Sequence, residues 1–219
     1  MTVVIDPGHN GNDGNHPEVV NRLVNIGTKM KACETTGTAT ASGYSEAAYN
    51  WDVALRTVRL LRSSGARVIL TRQNNAGVGP CINERAAIGN RTHADAAVSI
   101  HADGGPTSGR GFHVILPLST RGLTDDIAGP SRRLGLVLRD AYKRGTDLPY
   151  ATYLGDGKGL TIRDDLGGLN LSDVPKVFIE TGNMNSPTDA ALLESSGFRQ
   201  RAANAIALGI GTFLRATRN

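Results

Sequence analysis

Two histidines and two glutamates in this chain, His9, Glu46, His101 and Glu180, are of the residue types that carry out metal-assisted hydrolysis. Two imidazoles and one carboxylate form a common donor set for catalytic zinc, and they leave a fourth position for water. The metal lowers the pKa of that water to about 7, and a second carboxylate nearby can take its proton and pass it to a leaving group. Each residue also has a plainer reading. A histidine after a strand is commonly a surface or hydrogen-bonded side chain. Glu46 is a good first-turn helix residue, and Glu180 could be a solvated rim carboxylate.

Whether the four can meet depends on the elements that carry them. Val3-Val4-Ile5 is a β-branched run halted by Asp6-Pro7-Gly8, which reads as a strand and a forced turn that delivers His9. Ser45 is a candidate N-cap, with Glu46 in the first turn of a helix that carries an apolar stripe of Trp51, Ala54, Leu55, Val58 and Leu61. His101 directly follows the run 96–100, and Glu180 directly follows the run 175–179. Further strands are expected at 66–71 and 111–116, and helices from about 79, about 129 and about 198. Strands alternating with helices, several of them continuous apolar runs, predict a three-layer α/β/α domain. Its sheet is expected to be twisted and mostly parallel, with about six strands and about six helices. In such sheets ligands bind beyond the carboxyl ends of the strands, and all four residues fall on that rim. His16 is a reserve ligand. His93, after a helix, and His113, inside a strand, are not expected to take part.

The 219 residues are read as one catalytic domain, 1–219, with an insertion at about 11–44. That Gly-, Asn- and Thr-rich stretch is too long for a plain loop and is expected to carry a hairpin or a helical turn beside His9. Cys33 lies on it, and Cys81 lies in loop-like sequence. The pair is either two buried thiols or one disulfide, and the disulfide would place the chain outside the cytoplasm. The net charge of +4 is dispersed, with few aromatics, which argues against nucleic acid and weakly for an anionic polymer as partner. No segment approaches the ~18 apolar residues of a membrane span. No signal peptide precedes the first strand, so a leader is expected to be missing from this sequence. Phosphate-loop, dinucleotide and serine-hydrolase fingerprints are also missing.

Ordered motifs along nearly the whole chain resemble a family. They are Val4-Ile5-Asp6-Pro7-Gly8-His9, Ser45-Glu46, Val68 to Arg72, Glu84-Arg85, Ala94-Asp95, Ser99-Ile100-His101-Ala102, Val174 to Glu180 and Pro187-Thr188-Asp189. The chain is similar to the zinc-dependent N-acetylmuramoyl-L-alanine amidases, in their compact single-domain form. The resemblance implies one Zn2+ held by His9, Glu46 and His101, with Glu180 as the catalytic carboxylate. It implies hydrolysis of the amide between the lactyl group of N-acetylmuramic acid and L-alanine in peptidoglycan, by an extracytoplasmic monomer. Asn10, Asp103, Asn170 and Asn183 fall at or near positions where the family pattern has other residues, and they are expected to contact substrate. The insertion, tethered by Cys33–Cys81, is expected to wall the cleft. The competing functions are a zinc peptidase acting on cross-bridges and a non-catalytic wall-binding module.

Overall fold

The computed structural model describes residues 1–217. Its main sheet has six strands, numbered in chain order with those of the insertion: β1 (Thr2–Pro7), β4 (Arg67–Leu70), β5 (Ala96–Asp103), β6 (His113–Pro117), β7 (Leu160–Arg163) and β8 (Lys176–Asn183). Their spatial order is β4-β1-β5-β8-β6-β7. All neighbours are parallel except β6 and β8. The antiparallel pair arises because β6 enters the sheet from the opposite end.

Helices cover both faces. On one lie α2 (Glu46–Ser63), α4 (Ala128–Thr146) and α7 (Ser196–Ala216), which enclose the main core with alternate strand residues such as Val3, Ile5, Val98, Ile100, Val177 and Ile179. On the other lie α3 (Ile82–Arg91) and the one-turn α5 (Gly167–Asn170), where a smaller cluster forms around Val4, Ala97 and Val174. Burying both faces explains why the central strands read as unbroken apolar runs. The face that α2 buries is built from Tyr49, Val53, Ala54, Val58 and Leu61. Trp51 and Leu55, expected in that stripe, are only half-buried, and the Trp51 ring packs under the Arg72 guanidinium instead.

The insertion holds both kinds of element expected of it: α1 (Pro17–Val20), and a hairpin of β2 (Leu23–Asn25) with β3 (Met30–Ala32). A Cys33–Cys81 disulfide fixes it to the start of α3. Closing a loop of that length stabilises a fold by about 2–4 kcal/mol. The short helix α6 (Pro187–Leu193) was not anticipated from the sequence.

Candidate metal centre

The register of the sheet sets the site. His101 is the Cα partner of Glu180 across β5 and β8, inside the strands rather than just past them. His9 sits beyond β1 with φ 56, in the left-handed region. Two buried arginines hold the chain in that turn. Arg72 donates to the Pro7 carbonyl (3.0 Å), and Arg85 donates to the carbonyls of Pro7 (2.8 Å) and His9 (3.2 Å). Below them Asp6 is a buried hub, paired with Arg85 (3.0 Å) and Lys176 (3.2 Å) and receiving the hydroxyls of Thr71 and Ser99. Burial opposes ionisation of Asp6, but these cations and hydroxyls hold its carboxyl far below the usual range.

Glu46 opens α2 behind the Ser45 cap, whose hydroxyl accepts from the Ala48 N–H. Its carboxylate lies 3.1 Å from His9 Nε2 and 2.9 Å from His101 Nδ1. It also accepts the N–H groups of Thr38 (3.0 Å) and Ala102 (3.3 Å). The His101 ring stacks on Phe178 and meets the His9 ring edge-on. Gly8 makes room for it: a Cβ there would fall 2.1 Å from His101 Cε1.

Among the described residues, His9, Glu46 and His101 offer one donor atom each, all within 4.8 Å of one another. This set fits a borderline-soft dication such as zinc. His9 Nδ1 donates to the Thr35 carbonyl (2.7 Å), which leaves Nε2 as the free donor facing Glu46. Burial works against charge on His9, yet Glu46 and Glu34 outweigh it and hold the imidazole well above its usual pKa. Burial also opposes ionisation of Glu46, and the two histidines overcome it, keeping that carboxyl well below its usual range. The pocket thus favours a positive charge between these groups.

Glu180 is the counterpart. Burial, reinforced by the carboxylates of Glu46 and Asp103, pushes its pKa well above the usual value, and its Oε2 has no hydrogen-bond partner. A half-buried carboxyl primed to hold a proton suits general acid–base work. All four residues open onto a cavity of about 420 Å³, also walled by Lys31, Ala32 and 34–38 of the insertion and by Asp103 and Arg163.

Of the four side chains expected to contact substrate, only Asp103 lines this cavity, where it accepts the Tyr153 hydroxyl (3.0 Å). The other three lie outside it, each engaged in hydrogen bonds to backbone carbonyls. Asn10 is buried and donates to the Gly79 carbonyl (2.9 Å). Asn170 is buried under the insertion and donates to the carbonyls of Ile26 (3.1 Å) and Asp164 (2.7 Å). Asn183 is buried and donates to the carbonyls of Pro106 (2.8 Å) and Gly109 (2.9 Å). Each amide ties one backbone segment to another. His16 faces solvent and pairs with Glu18, away from the cavity. Sequence reading missed Glu34, which is buried beside His9 and Arg85; its only outward signal is its place next to Cys33.

Three comparisons bear on this geometry. A family model described as N-acetylmuramoyl-L-alanine amidase matches residues 3–212. An N-acetylmuramoyl-L-alanine amidase of Mycobacterium tuberculosis is 44% identical over 216 residues, covering 98% of this chain and 86% of the relative. The crystal structure of an N-acetylmuramyl-L-alanine amidase from Mycobacterium smegmatis superposes with a TM-score of 0.91 at 44% identity, over 99% of this chain and 97% of that one. A structure of such an amidase from Mycobacterium abscessus, in its apo form, gives 0.90 at 41% identity, over 98% of both chains.

Proposed function

The chain belongs to the N-acetylmuramoyl-L-alanine amidase family, and on that premise we propose that it is a zinc-dependent, extracytoplasmic peptidoglycan amidase. It cleaves the amide between the N-acetylmuramic acid lactyl group and L-alanine of the stem peptide, in cell-wall turnover, remodelling or daughter-cell separation. The whole chain acts as one catalytic unit. A monomer suffices, because all four site residues come from one chain.

His9, Glu46 and His101 would hold the metal. Zinc bound there would acidify water and polarise the scissile carbonyl. The rest falls to the protein. Glu180 takes the proton of the attacking water and delivers it to the departing alanine nitrogen. Asp103, whose carboxylate accepts the Tyr153 hydroxyl, lines the cavity with Glu180.

The unpartnered, cavity-facing Glu180 carries this reading, since a wall-binding module needs no spare carboxylate beside a metal. Glu180→Gln is expected to bind zinc like the wild type and to lose roughly 10²–10⁴-fold in turnover. Product analysis of digested muropeptides separates the chemistries: an amidase frees an N-terminal L-alanine and leaves the sugar-lactyl acid intact. Peptides opened only at cross-bridges, or wild-type turnover by Glu180→Gln, contradict the assignment.

A further inference from the structure

We propose that Glu34, locked in place by the Cys33–Cys81 disulfide, is the positioning residue that orients His9 for the metal, so that forming the disulfide completes the zinc site. The inference rests on the metal reading given above.

Glu34 and Thr35 follow Cys33 directly, and both reach His9. The Thr35 carbonyl accepts from His9 Nδ1 at 2.7 Å. One Glu34 oxygen accepts the Thr35 N–H (3.0 Å) and lies 3.6 Å from the same Nδ1. The other meets Arg85 Nε at 2.9 Å. Arg85 in turn donates to the His9 carbonyl (3.2 Å). Glu34 and Arg85 are both buried, so each needs the other. His9 is therefore gripped at the ring by 34–35 and at the backbone by Arg85.

The disulfide joins the two halves of that grip. Cys33 precedes Glu34, and Cys81 stands at the head of α3, one turn before Arg85. The Arg85 N–H donates to the Cys81 carbonyl (3.0 Å), and the Ile82 N–H donates to the Cys33 carbonyl (2.8 Å). The strand β3 just before Cys33 belongs to a small hairpin outside the main sheet. Without the crosslink, the segment carrying Glu34 keeps only non-covalent ties: hydrogen bonds to Val20, Arg22 and Ile82 and the Arg85 ion pair.

The Thr35 carbonyl holds Nδ1 and so aims Nε2, and Glu34 in turn pins both Thr35 and Arg85. Outer partners of this kind are worth about 10- to 100-fold in metal affinity. Because the crosslink needs an oxidising compartment, a reduced chain would hold zinc weakly, and the site would mature only where the disulfide forms.

The test measures zinc affinity of the full chain by competition with a chromophoric chelator, for wild type, Glu34→Gln, Glu34→Ala and Cys33→Ser/Cys81→Ser. Circular dichroism establishes that each is folded at the assay temperature. Nitrogen-15 NMR of the zinc-loaded chains reports the His9 Nδ1–H that the Thr35 carbonyl accepts. Glu34→Gln and the double serine variant are each expected to lose about 10-fold or more in zinc affinity and to show that Nδ1–H signal broadened by ring motion. Glu34→Gln keeps the shape of the side chain, so the test holds even if Glu34→Ala fails to fold. A folded Glu34→Gln with wild-type affinity and an unbroadened Nδ1–H signal overturns the role of Glu34. Wild-type affinity in the folded serine variant overturns the link to the disulfide. A wild-type chain that binds no zinc sinks the metal reading, and this inference with it.

Discussion

At the scale of single residues, the site depends on groups whose surroundings contradict their usual behaviour. Gly8 shows how little room there is. An added Cβ would lie 2.1 Å from His101 Cε1, so Gly8→Ala must swing that ring away from Glu46. Zinc affinity is expected to fall by on the order of 10-fold or more, measured by the same chelator competition, while the core strands keep their far-ultraviolet signal. His113 is a different case. It lies buried in β6 as the cross-strand partner of Glu180, and its Nδ1 has no hydrogen-bond partner. Burial lowers its pKa to about 4, from the 6.5 usual for histidine. Between these values the unfolded chain binds more protons than the folded one. The stability that His113 contributes is therefore present above about pH 6.5 and drains away as the pH falls toward 4. A window of about 2.5 units corresponds to about 3 kcal/mol. His113→Phe should flatten this stretch of the stability curve, as read by urea denaturation near neutral pH and near pH 4.5. A variant whose acid slope matches the wild type means that other groups set it.

At the scale of elements, the turn after β1 is held from two directions: Arg72 lies beyond β4 and Arg85 on α3. Arg85 also neutralises two buried carboxylates, Asp6 and Glu34. Arg85→Met would leave Glu34 with only His9 and Asp6 with Lys176 as its one cation. A loss of about 3–5 kcal/mol is expected in denaturant midpoints at neutral pH. Arg85→Lys should rescue only part of it, because an ammonium cannot span Pro7, Asp6, Glu34 and His9 at once. A loss under 1 kcal/mol for Arg85→Met would mean the hub is redundant.

This hub also marks where sequence reading stopped. Strands, helices and the rim could be read because apolar period and turn chemistry are local properties. His9, His101 and Glu180 could be read because each adjoins an apolar run. Asp6, Glu34 and Arg85 could not, since a charged residue in a loop or helix looks solvated until its distant partner is known. The same limit explains Asn10, Asn170 and Asn183, which look like groove residues but are backbone ties. The β6–β8 direction was hidden because β6, like the parallel strands β1 and β5, is an apolar run buried on both faces.

At the scale of the whole molecule, the insertion does two separable jobs. Its base, 33–38, carries the disulfide and the contacts to His9 and Glu46. Its outer hairpin reaches across to the β7 side, where Lys31 Nζ donates to the Asp165 carbonyl (2.6 Å) and Thr28 to the Asp164 carbonyl (3.1 Å). Lys31 and Ala32 then close one wall of the cavity. Deleting 17–40 would remove both jobs at once and say little about either. Replacing 24–31 with a short glycine linker removes the outer wall and spares Cys33 and Glu34. Zinc affinity should stay within about twofold of wild type, and kcat within about threefold, because the reacting groups are untouched. KM for short muropeptides should rise about 10-fold, the equivalent of about 1.4 kcal/mol of binding lost with that wall. Steady-state kinetics on a defined muropeptide reads both constants. A fall in kcat at unchanged KM would show that the hairpin serves the chemistry rather than the walls of the cleft.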